Sequence, residues 1–479
     1  MIDANVKRVD EWTVIFTEQD IELFAESSLD HNPLHCDNDY AHKTMYGQVV
    51  VHGILGVLAC LEKYFKNKNC DINSLEIQFF KPIFCGVAYK IIIKENSVVL
   101  ADGEIKLLKI KLATNTIQNN TIQNTKQYKP NYEATEKLLH KFKIPKDLEK
   151  LSIILMWSSF YVGMVCPGKQ ALYSSIKLDI NDFDFEIPFF YSANLKNEQS
   201  ALSLLTMEFA LANNTGNLIA NGIIKAYKRI ELKQNLYTPL KETLQMFPNL
   251  QGKSVLVTGA SRGFGSCLSL ILGALKCHVI LNFKSSINEA LALSKQIEKL
   301  GGSVELWQND VADLDFFTAK KEELLKQGKY LDILICNAAP PALALALALA
   351  PETAHRIANY VQTAFDWTCV PLSTYAQMLN EHNGHVLIVS SGYLDSIEPE
   401  YPHYLSAKAA IETLAIYAAK KHKNTKYAII RPPKLLTDMS NSPGGNYNSA
   451  DPIKIAEQTL LNFFTENWDS GYAKIFSIS

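Results

Sequence analysis

The sequence predicts a multidomain chain in which an α+β front part precedes an α/β domain with a doubly wound parallel sheet. At 479 residues, the chain is too long for one ordinary hydrophobic core. From residue 254 onwards, short apolar runs such as SVLV and GHVLIVSS alternate with helical patterns, which is typical of a parallel sheet. In each of two earlier segments, one apolar helical pattern precedes strand-like runs, which favours a helix wrapped by an antiparallel sheet.

Two stretches divide the chain into these parts. Residues 113–134 are rich in Asn, Thr and Gln and have little apolar periodicity, so we interpret them as a linker. Residues 233–246 contain apolar positions that indicate a short linker helix packed between domains. The predicted domains are therefore 1–112, 135–232 and 247–479.

Composition and charge argue against several classes of protein. The formal net charge of −2 gives no electrostatic reason to expect nucleic acid or an anionic membrane as a partner. Nine cysteines without a CxxC pair predict neither a zinc site nor a disulfide framework, and no metal is expected. The first residues carry charges and no apolar core, so we expect no signal peptide and a cytoplasmic protein with reduced cysteines. The apolar run from Pro340 to Pro351 is too short to span a bilayer.

A glycine-rich turn, TGASRGFG at residues 258–265, follows the first strand of the α/β domain and precedes a helix. Glycines let the backbone approach a pyrophosphate, and the N-terminus of the helix supplies N–H donors. This context predicts dinucleotide binding rather than a plain connecting turn. The residues expected to bind the cofactor here are Gly259, Ser261, Arg262, Gly263 and Gly265.

Charge near the second strand predicts which nicotinamide cofactor is used. That strand ends in Asn282-Phe283-Lys284-Ser285 and offers no carboxylate for the ribose 2′-hydroxyl of NAD. Arg262 and Lys284 are cations that suit a 2′-phosphate, so we expect NADPH. The alternative is that both cations are solvated surface charges.

Three side chains have the chemistry of carbonyl reduction. Tyr404 and Lys408 lie four residues apart in a helical pattern, which places them on one face. A neighbouring ammonium favours the phenolate and lowers the high pKa of a phenol. Ser391, at the end of the strand VLIVSS, carries a hydroxyl that can bond a substrate carbonyl oxygen.

Residues 252–440 resemble the short-chain dehydrogenase/reductase family, whose sheet is of the Rossmann type. TGASRGFG, NDVAD, CNAA, the Ser391, Tyr404 and Lys408 set and the threonine of RPPKLLTDM occur in the family's order. The resemblance implies an NADPH-dependent ketoreductase in which Tyr404 donates the proton and Lys408 anchors the nicotinamide ribose. It further implies roles for three residues: Asp310 at the adenine, Asn337 on the adenosine side and Thr437 at the carboxamide.

Some residues depart from the family pattern. Pro432-Pro433 replaces a proline–glycine pair. The family's structural asparagine falls on Thr363, and Asn359 would replace it only if the helix shifted, which affects the proton-relay water. The Ala–Leu run at 342–350 is atypical and is interpreted either as a helical lid over an acyl chain or as a buried helix.

A second set of reactive side chains lies near the start of the chain. In Asp30-His31-Asn32-Pro33-Leu34-His35, a carboxylate and an imidazole lie five residues apart around a proline turn. Asp30 and His35 can hold one water between them, as adding or removing water across a double bond requires. Gly53 lies at a predicted helix N-terminus, where its N–H can polarise a thioester carbonyl. The alternative is that Asp30 and Asn32 only form the turn.

This region resembles the MaoC-like, (R)-specific enoyl-CoA hydratases, which have the hot-dog fold. The match rests on D-x-N-P-x-H followed by H-G before a helix, although Leu29 stands where the family has glycine and predicts a weakened or altered site. The second segment resembles the other half of double hot-dog relatives through its V-G-M-x-x-P-G element. It lacks an Asp–x4–His pair, so we expect one active site per pair of hot dogs.

The two modules together predict a bifunctional enzyme of fatty-acid or polyketide-type assembly. It would reduce a β-ketoacyl thioester and dehydrate the product, with an acyl carrier protein or coenzyme A as the carrier. Two alternatives remain open: a single-activity ketoreductase with a silent hot-dog half that binds the acyl carrier, and a scaffold that binds NADPH without turnover. A homodimer is expected from the usual pairing of such reductases.

Overall fold

The computed structural model describes residues 10–66, 73–114, 125–181, 185–232, 237–238, 241–342, 351–442 and 447–478. The chain forms two compact units, one mainly from Met1–Glu231 and the other from Leu232–Asn441 and Asn448–Ser479. Residues 343–350 of the Ala–Leu run at 342–350 lie outside the described residues, so both roles predicted for the run stay predictions.

The first unit combines antiparallel strands with helices. Its strands are β1 (Asp10–Ile15), β2 (Ser74–Phe79), β3 (Ala88–Lys94), β4 (Ser97–Asp102), β5 (Ile105–Ala113), β6 (Lys126–Tyr128), β7 (Ala171–Ile180), β8 (Phe189–Gln199), β9 (Leu204–Ala212) and β10 (Leu218–Lys228). Its helices are α1 (Glu18–Ser28), α2 (Pro33–Cys36), α3 (Asn38–His42), α4 (Gly53–Phe65), α5 (Tyr132–Lys141) and α6 (Glu149–Phe160), and a π-helical turn (Tyr161–Val165) continues α6.

The ten strands form one sheet in the order β1-β3-β4-β5-β2-β7-β10-β9-β8-β6. Read inward from its two edges, this order is the same five-strand pattern twice, and the halves join where β2 pairs antiparallel with β7. Each half contributes a long apolar helix to the core, α4 in the first and α6 in the second. A helix that is apolar all round is stable only when it is buried. The predicted double hot dog is confirmed.

The described part of the stretch predicted to be a linker, 113–134, contains regular structure. Strand β6 pairs antiparallel with β8 at the edge of the sheet. Helix α5 begins at Tyr132, where the side chain of Asn131 accepts a hydrogen bond from Ala134 N. The described part of this stretch therefore includes an edge strand and the start of a helix, and its interpretation as a linker stays a prediction. Residues 115–124 lie outside the described part of the chain.

The second unit alternates strands and helices. Its strands are β11 (Ser254–Val257), β12 (His278–Phe283), β13 (Ser303–Gln308), β14 (Ile333–Cys336), β15 (His385–Val389), β16 (Lys426–Arg431) and β17 (Ala473–Ser477). Its helices are α7 (Lys241–Gln245), α8 (Gly263–Ala274), α9 (Ile287–Lys299), α10 (Leu314–Lys326), α11 (Pro351–Glu381), α12 (Tyr393–Ser396), α13 (Pro402–Lys421) and α14 (Pro452–Thr465).

Its seven strands are all parallel, in the order β13-β12-β11-β14-β15-β16-β17. The central strands are buried on both faces, and β14 has no exposed residue. Such strands are continuously apolar because helices cover both sides of the sheet. The strand order reverses beside β11, so the carboxyl ends of β11 and β14 border the crevice in which such sheets bind ligands. The predicted Rossmann-type sheet is confirmed.

Within the described ranges, one segment is long and apolar enough to cross a membrane by length and composition alone. It is Lys146–Val165, which includes α6, and 72% of it is buried inside the first unit. A buried core helix passes the same test of length and hydropathy, and the burial of this segment matches a core helix.

Candidate active sites

The glycine turn predicted to bind a dinucleotide joins β11 to α8. Gly259 has a φ of +62°, and a Cβ there would lie 2.9 Å from Ala338 Cα. A Cβ on Gly265 would lie 2.4 Å from the carbonyl oxygen of Gly259. The turn therefore depends on bare backbone, and its N–H groups lead into the N-terminus of α8, as a pyrophosphate requires.

The turn is supported by residues from neighbouring loops. The side-chain amide of Asn337 donates to the carbonyl oxygens of Thr258 and Gly259, at 3.1 Å each. The Asn337 side-chain amide, which was expected to line the adenosine side of the pocket, thus stabilises the turn. Thr437 lies against the same turn, its methyl carbon 3.8 Å from the Cβ position of Gly263. Ser261 is buried within the turn.

The two cations predicted to select NADPH both lie beside carboxylates. Lys284 Nζ is 2.8 Å from Asp310 Oδ2, and Arg262 Nη1 is 3.5 Å from Asp438 Oδ2. Both pairs are partly exposed, and exposed ion pairs contribute little free energy. A 2′-phosphate can therefore compete for these cations, but the structure also gives each a partner that the sequence did not indicate. Asp310, expected at the adenine, also accepts a hydrogen bond from Ala312 N at 3.0 Å.

The three residues predicted to act on the carbonyl converge at the end of β15. Ser391 follows that strand, and Tyr404 and Lys408 lie one turn apart on α13. Lys408 is buried and donates to the carbonyl oxygen of Val389 at 2.8 Å, which holds its Nζ 5.5 Å from the centre of the Tyr404 ring. The helix and the strand end thus bring a hydroxyl, a phenol and an amine to one place.

Burial controls the protonation of this set. It raises the pKa of Tyr404, and hydrogen bonding with Ser391 opposes the shift without reversing it. It also lowers the pKa of Lys408 to about 8, against the charge of Glu412. The expected acidification of this phenol is therefore not seen with the protein groups alone, because desolvation is the largest influence on its pKa and the charge of Lys408 is not among the causes of the shift. A neutral phenol is nevertheless the form that can donate a proton.

Neither residue proposed for the family's structural asparagine reaches the buried set. Thr363 and Asn359 are both exposed on α11, and Thr363 Oγ1 donates to the Asn359 carbonyl oxygen within the helix. Tyr360, which the sequence did not single out, comes closer to this buried set than Thr363 and Asn359 do. Its hydroxyl donates to the Pro340 carbonyl oxygen at 2.9 Å, and its pKa is raised well above the ordinary value by burial and by the charge of Tyr404.

A partly buried ion pair, also missed from the sequence, supports α13. Glu412, one turn after Lys408, accepts two hydrogen bonds from Arg431, at 2.9 and 2.7 Å. Glu412 also accepts one from Ser390, the neighbour of Ser391, at 2.5 Å. These bonds tie the helix of Tyr404 to the strand ends beside it.

In the first unit, Asp30 and His35 are brought together with a third group, His52. The Asp30 carboxylate is 2% exposed and accepts from Ser159 Oγ at 2.7 Å and from Asn32 N at 3.3 Å. The His35 and His52 rings stack with their centres 3.9 Å apart. Since His35 Nδ1 lies 2.5 Å from the carbonyl oxygen of Val50, that nitrogen carries the proton and Nε2 is left as an acceptor.

The second hot dog contributes directly to this site. Ser159 lies on α6, and Gly163 lies in the π-helical turn that follows. A Cβ on Gly163 would be 2.1 Å from Asp30 Oδ1, so only glycine lets the turn approach the carboxylate. The Asn32 amide donates to the carbonyl oxygens of Gly163 and Gly168, at 3.1 and 3.2 Å. The second repeat, expected as a structural partner, therefore also holds the reactive carboxylate.

Burial sets the charges of this site as well. It raises the pKa of Asp30 to about 7, opposed by the hydrogen bonds from Ser159 and Asn32. It lowers the pKa of His35 to about 4, opposed by the hydrogen bond to Val50. Near neutral pH the site thus holds a neutral imidazole beside a carboxyl group that can give or take a proton.

Gly53 is the first residue of α4, as predicted, and His52 precedes it as the cap. The first N–H of a helix has no partner within the helix. A Cβ on Gly53 would lie 2.7 Å from the Phe79 ring, so this ring packs closely on the helix start.

The reactive atoms of Asp30, His35 and His52 lie within 4.8 Å of one another. One carboxylate and two imidazoles grouped in this way could hold a metal ion. The sequence-based expectation of no metal stays a prediction.

Leu29, where the family has glycine, adopts the left-handed conformation with φ 63° and ψ 20° and ends α1. Leu29→Gly is expected to raise the free energy of unfolding by roughly 0.5–1 kcal/mol, because a left-handed side chain costs about 1–2 kcal/mol and glycine loses part of that in entropy. Denaturant unfolding measures this. Leu29→Ala is the control: it keeps the strained backbone and should not stabilise, and equal stabilisation by both variants would contradict the explanation.

Comparisons with known proteins agree with the division of the chain into two units. Residues 253–447 match the family model described as short chain dehydrogenase, and residues 2–116 match the model described as MaoC like domain. The 3-oxoacyl-[acyl-carrier-protein] reductase FabG of Staphylococcus aureus is 28% identical over 193 residues, which cover 40% of this chain and 77% of FabG. The short chain dehydrogenase mdpC of Emericella nidulans is 25% identical over 243 residues, 47% of this chain and 87% of mdpC.

Solved structures were also matched. An alcohol dehydrogenase from the archaeon Thermococcus sibiricus, complexed with 5-hydroxy-NADP, aligns with 48% of this chain and 96% of its own, with 17% identity and a TM-score of 0.42. A dehydrogenase/reductase from Sinorhizobium meliloti aligns with 49% and 96%, with 21% identity and a TM-score of 0.43.

A domain of the short chain dehydrogenase type uses a nicotinamide cofactor, NAD or NADP. The glycine turn fits such a group, since the positions nearest the expected pyrophosphate have no room for a Cβ. The chain therefore contains a MaoC-like domain within residues 2–116 and a short-chain dehydrogenase domain within residues 253–447.

Proposed function

We propose that this chain is a bifunctional enzyme that reduces a β-ketoacyl thioester with NADPH and interconverts the β-hydroxyacyl product and its enoyl form. The observation that carries the proposal is the presence of two complete sets of reactive groups in one chain. One is Ser391, Tyr404 and Lys408 on the parallel sheet. The other is Asp30 and His35 in the double hot dog. The reductase product is the substrate that the second set is equipped to dehydrate.

The reductase residues divide the work of carbonyl reduction. Bound NADPH supplies the hydride. Ser391 donates a hydrogen bond to the carbonyl oxygen, and Tyr404 transfers its phenolic proton to that oxygen as the hydroxyl forms. The raised pKa of Tyr404 keeps this proton in place at neutral pH. Lys408, fixed by the Val389 carbonyl oxygen, would anchor the nicotinamide ribose.

The hydratase residues divide the work of dehydration. His35 Nε2 accepts the proton from the α-carbon, the bond between the β-carbon and its oxygen breaks, and protonated Asp30 gives its proton to the departing hydroxyl, which leaves as water. Ser159 holds the Asp30 carboxyl group in place. The Gly53 N–H, at the start of α4, would polarise the thioester carbonyl. Hydration runs the same steps in reverse.

The carrier is proposed to be an acyl carrier protein or coenzyme A, and the pathway fatty-acid or polyketide assembly. Support comes from the FabG relative, whose name specifies an acyl-carrier-protein thioester. We also propose that the chain is cytoplasmic and forms a homodimer. Sedimentation of the full chain would test the homodimer.

Two assays with the full chain test the proposal. NADPH oxidation with acetoacetyl-CoA, followed at 340 nm by the loss of NADPH absorbance, reports reduction. Loss of enoyl absorbance with crotonyl-CoA reports hydration. Both are expected; reduction alone would support a silent hot-dog half, and tight NADPH binding without either activity would support a scaffold.

The choice of NADPH has its own test. The double replacement Arg262→Ala with Lys284→Ala is expected to raise KM for NADPH about a hundredfold or more, since two charge-assisted bonds are lost and each contributes roughly 1.5–3 kcal/mol. KM for NADH should stay the same, because NADH has no 2′-phosphate. Lys295→Ala, an exposed lysine on α9, is the control. An equal rise for both cofactors would argue against selection by these cations.

A further inference from the structure

Glu412 is a buried carboxylate on α13 that the proposed carbonyl reduction does not use. It is 6% exposed and accepts three hydrogen bonds, from Ser390 Oγ at 2.5 Å and from Arg431 Nε and Nη2 at 2.9 and 2.7 Å. Replacing such a pair of buried charges with apolar side chains of similar volume is often neutral or stabilising, so stability is a weak explanation for this pair. A role in orientation explains the arrangement better, because one partner of the carboxylate is the neighbour of Ser391.

Two side chains of α13 hold the chain just before Ser391. Lys408 Nζ donates to the carbonyl oxygen of Val389 at 2.8 Å. Glu412, one turn later on the same face of the helix, accepts from the next residue, Ser390, which is 2% exposed. Because these bonds join consecutive residues to one helix, they set the distance between α13 and the segment that leads into Ser391.

The backbone on either side of Ser391 is bonded to the end of β16. Ser390 N and Gly392 N donate to the carbonyl oxygens of the residues before and after Arg431, at 2.7 and 2.9 Å. Arg431 itself extends its guanidinium to Glu412. The segment is therefore fixed within the sheet by its backbone and against α13 by side chains, and the Glu412 carboxylate is bonded to both the segment and β16.

We propose that Glu412 is a positioning residue of the reductase: through its bond to Ser390, it fixes the Ser391 hydroxyl against the substrate carbonyl oxygen. Arg431 holds the carboxylate in place from the sheet. This inference rests on the proposed reductase function. The substrate oxygen has to meet Ser391 and Tyr404 at the same time, and Tyr404 lies on α13. A misplacement of about 1 Å between groups that share one substrate atom can lower a rate about a hundredfold.

Ser390→Ala in the full chain tests the proposal, because it removes only the hydroxyl that donates to Glu412. With acetoacetyl-CoA, kcat per NADPH-binding site is expected to fall about ten- to a hundredfold. Fluorescence titration counts the sites and measures NADPH affinity, which should stay the same because the bond between Lys408 and Val389 is retained. A merely structural role would instead reduce the number of NADPH-binding sites and leave kcat per site unchanged.

A second set of variants tests the carboxylate itself. The double variant Glu412→Leu with Arg431→Met replaces the ion pair with apolar side chains, so it should bind NADPH and lose kcat per site as Ser390→Ala does. Glu412→Gln should keep more of kcat than the double variant, since its amide oxygen can still accept from Ser390. Thr413→Ala removes an exposed hydroxyl from the same helix and is the control, which should leave kcat unchanged.

Unchanged kcat per site in Ser390→Ala would overturn the inference, and so would unchanged kcat per site in the double variant. If the double variant does not bind NADPH, Ser390→Ala decides by itself, because it leaves the ion pair in place. The unmodified chain separates the two proposals. If it reduces acetoacetyl-CoA and Ser390→Ala does so equally well, only the positioning role of Glu412 is refuted. If the unmodified chain shows no reduction, the reductase proposal fails, and the positioning role fails with it.

Discussion

Tyr404→Phe is expected to lower kcat for carbonyl reduction by about a hundred- to ten-thousand-fold, the usual contribution of a positioned proton donor. The variant keeps the ring, which packs 5.5 Å from Lys408 Nζ and 6.5 Å from the Tyr393 ring, and removes only the hydroxyl. Stability and NADPH affinity should therefore change little. Steady-state kinetics with acetoacetyl-CoA measure kcat, NADPH titration by fluorescence measures affinity, and denaturant unfolding measures stability.

Tyr417→Phe is the matched control, because Tyr417 lies on the same helix but is 62% exposed. It should reduce acetoacetyl-CoA at the unmodified rate. Hydration of crotonyl-CoA should be normal in both variants, since Asp30 and His35 belong to the other unit. Reduction that continues unimpaired in Tyr404→Phe would remove the basis of the reductase assignment.

Local spacing predicted the reactive groups of both sites, because each pair lies within one turn or one helix. Tyr404 and Lys408 are four residues apart on α13, and Asp30 and His35 flank the turn that begins α2. Such spacings determine geometry through the backbone alone.

The partners of those groups could not be predicted in the same way. Ser159 bonds Asp30 across 129 residues, and Arg431, at the end of β16, bonds Glu412 on α13. These contacts depend on the order of the strands in the sheet. The sequence offered one usable signal, the glycine of the V-G-M element, since Gly163 is where any side chain would collide with Asp30.

Burial was the other property that spacing could not convey. From the sequence, the Lys408 ammonium was expected to acidify Tyr404, and the structure shows the opposite net direction for the pKa of that phenol. Desolvation by the surrounding core is the largest influence on this pKa, and the charge of Lys408 is not among the causes of the shift.

Asp30 is also desolvated by burial, and Asp30→Asn is the variant for which we expect the second large loss of activity. Hydration of crotonyl-CoA should fall by about a hundred- to ten-thousand-fold, since an amide cannot transfer the proton. Asn keeps an oxygen that can accept from Ser159, so the hydrogen bond seen at 2.7 Å need not be lost. Reduction of acetoacetyl-CoA should be unchanged. Asp39→Asn, an exposed carboxylate nearby, is the control for both activities.

Asp30→Asn should at the same time make the first unit more stable than the unmodified protein at pH 8. Burial raises the pKa of Asp30 from 3.8 to about 7, so between these values the folded chain holds a proton that the unfolded chain has lost. Stability from this group is therefore complete below pH 3.8 and is lost as the pH rises through 7. The full loss is on the order of 4 kcal/mol, from about three pKa units. Calorimetry from pH 4 to pH 8 should show the variant gaining stability relative to the unmodified chain as the pH rises. A constant difference would mean that Asp30 is not held in a desolvated site, and the acid proposed for dehydration would lose its physical basis.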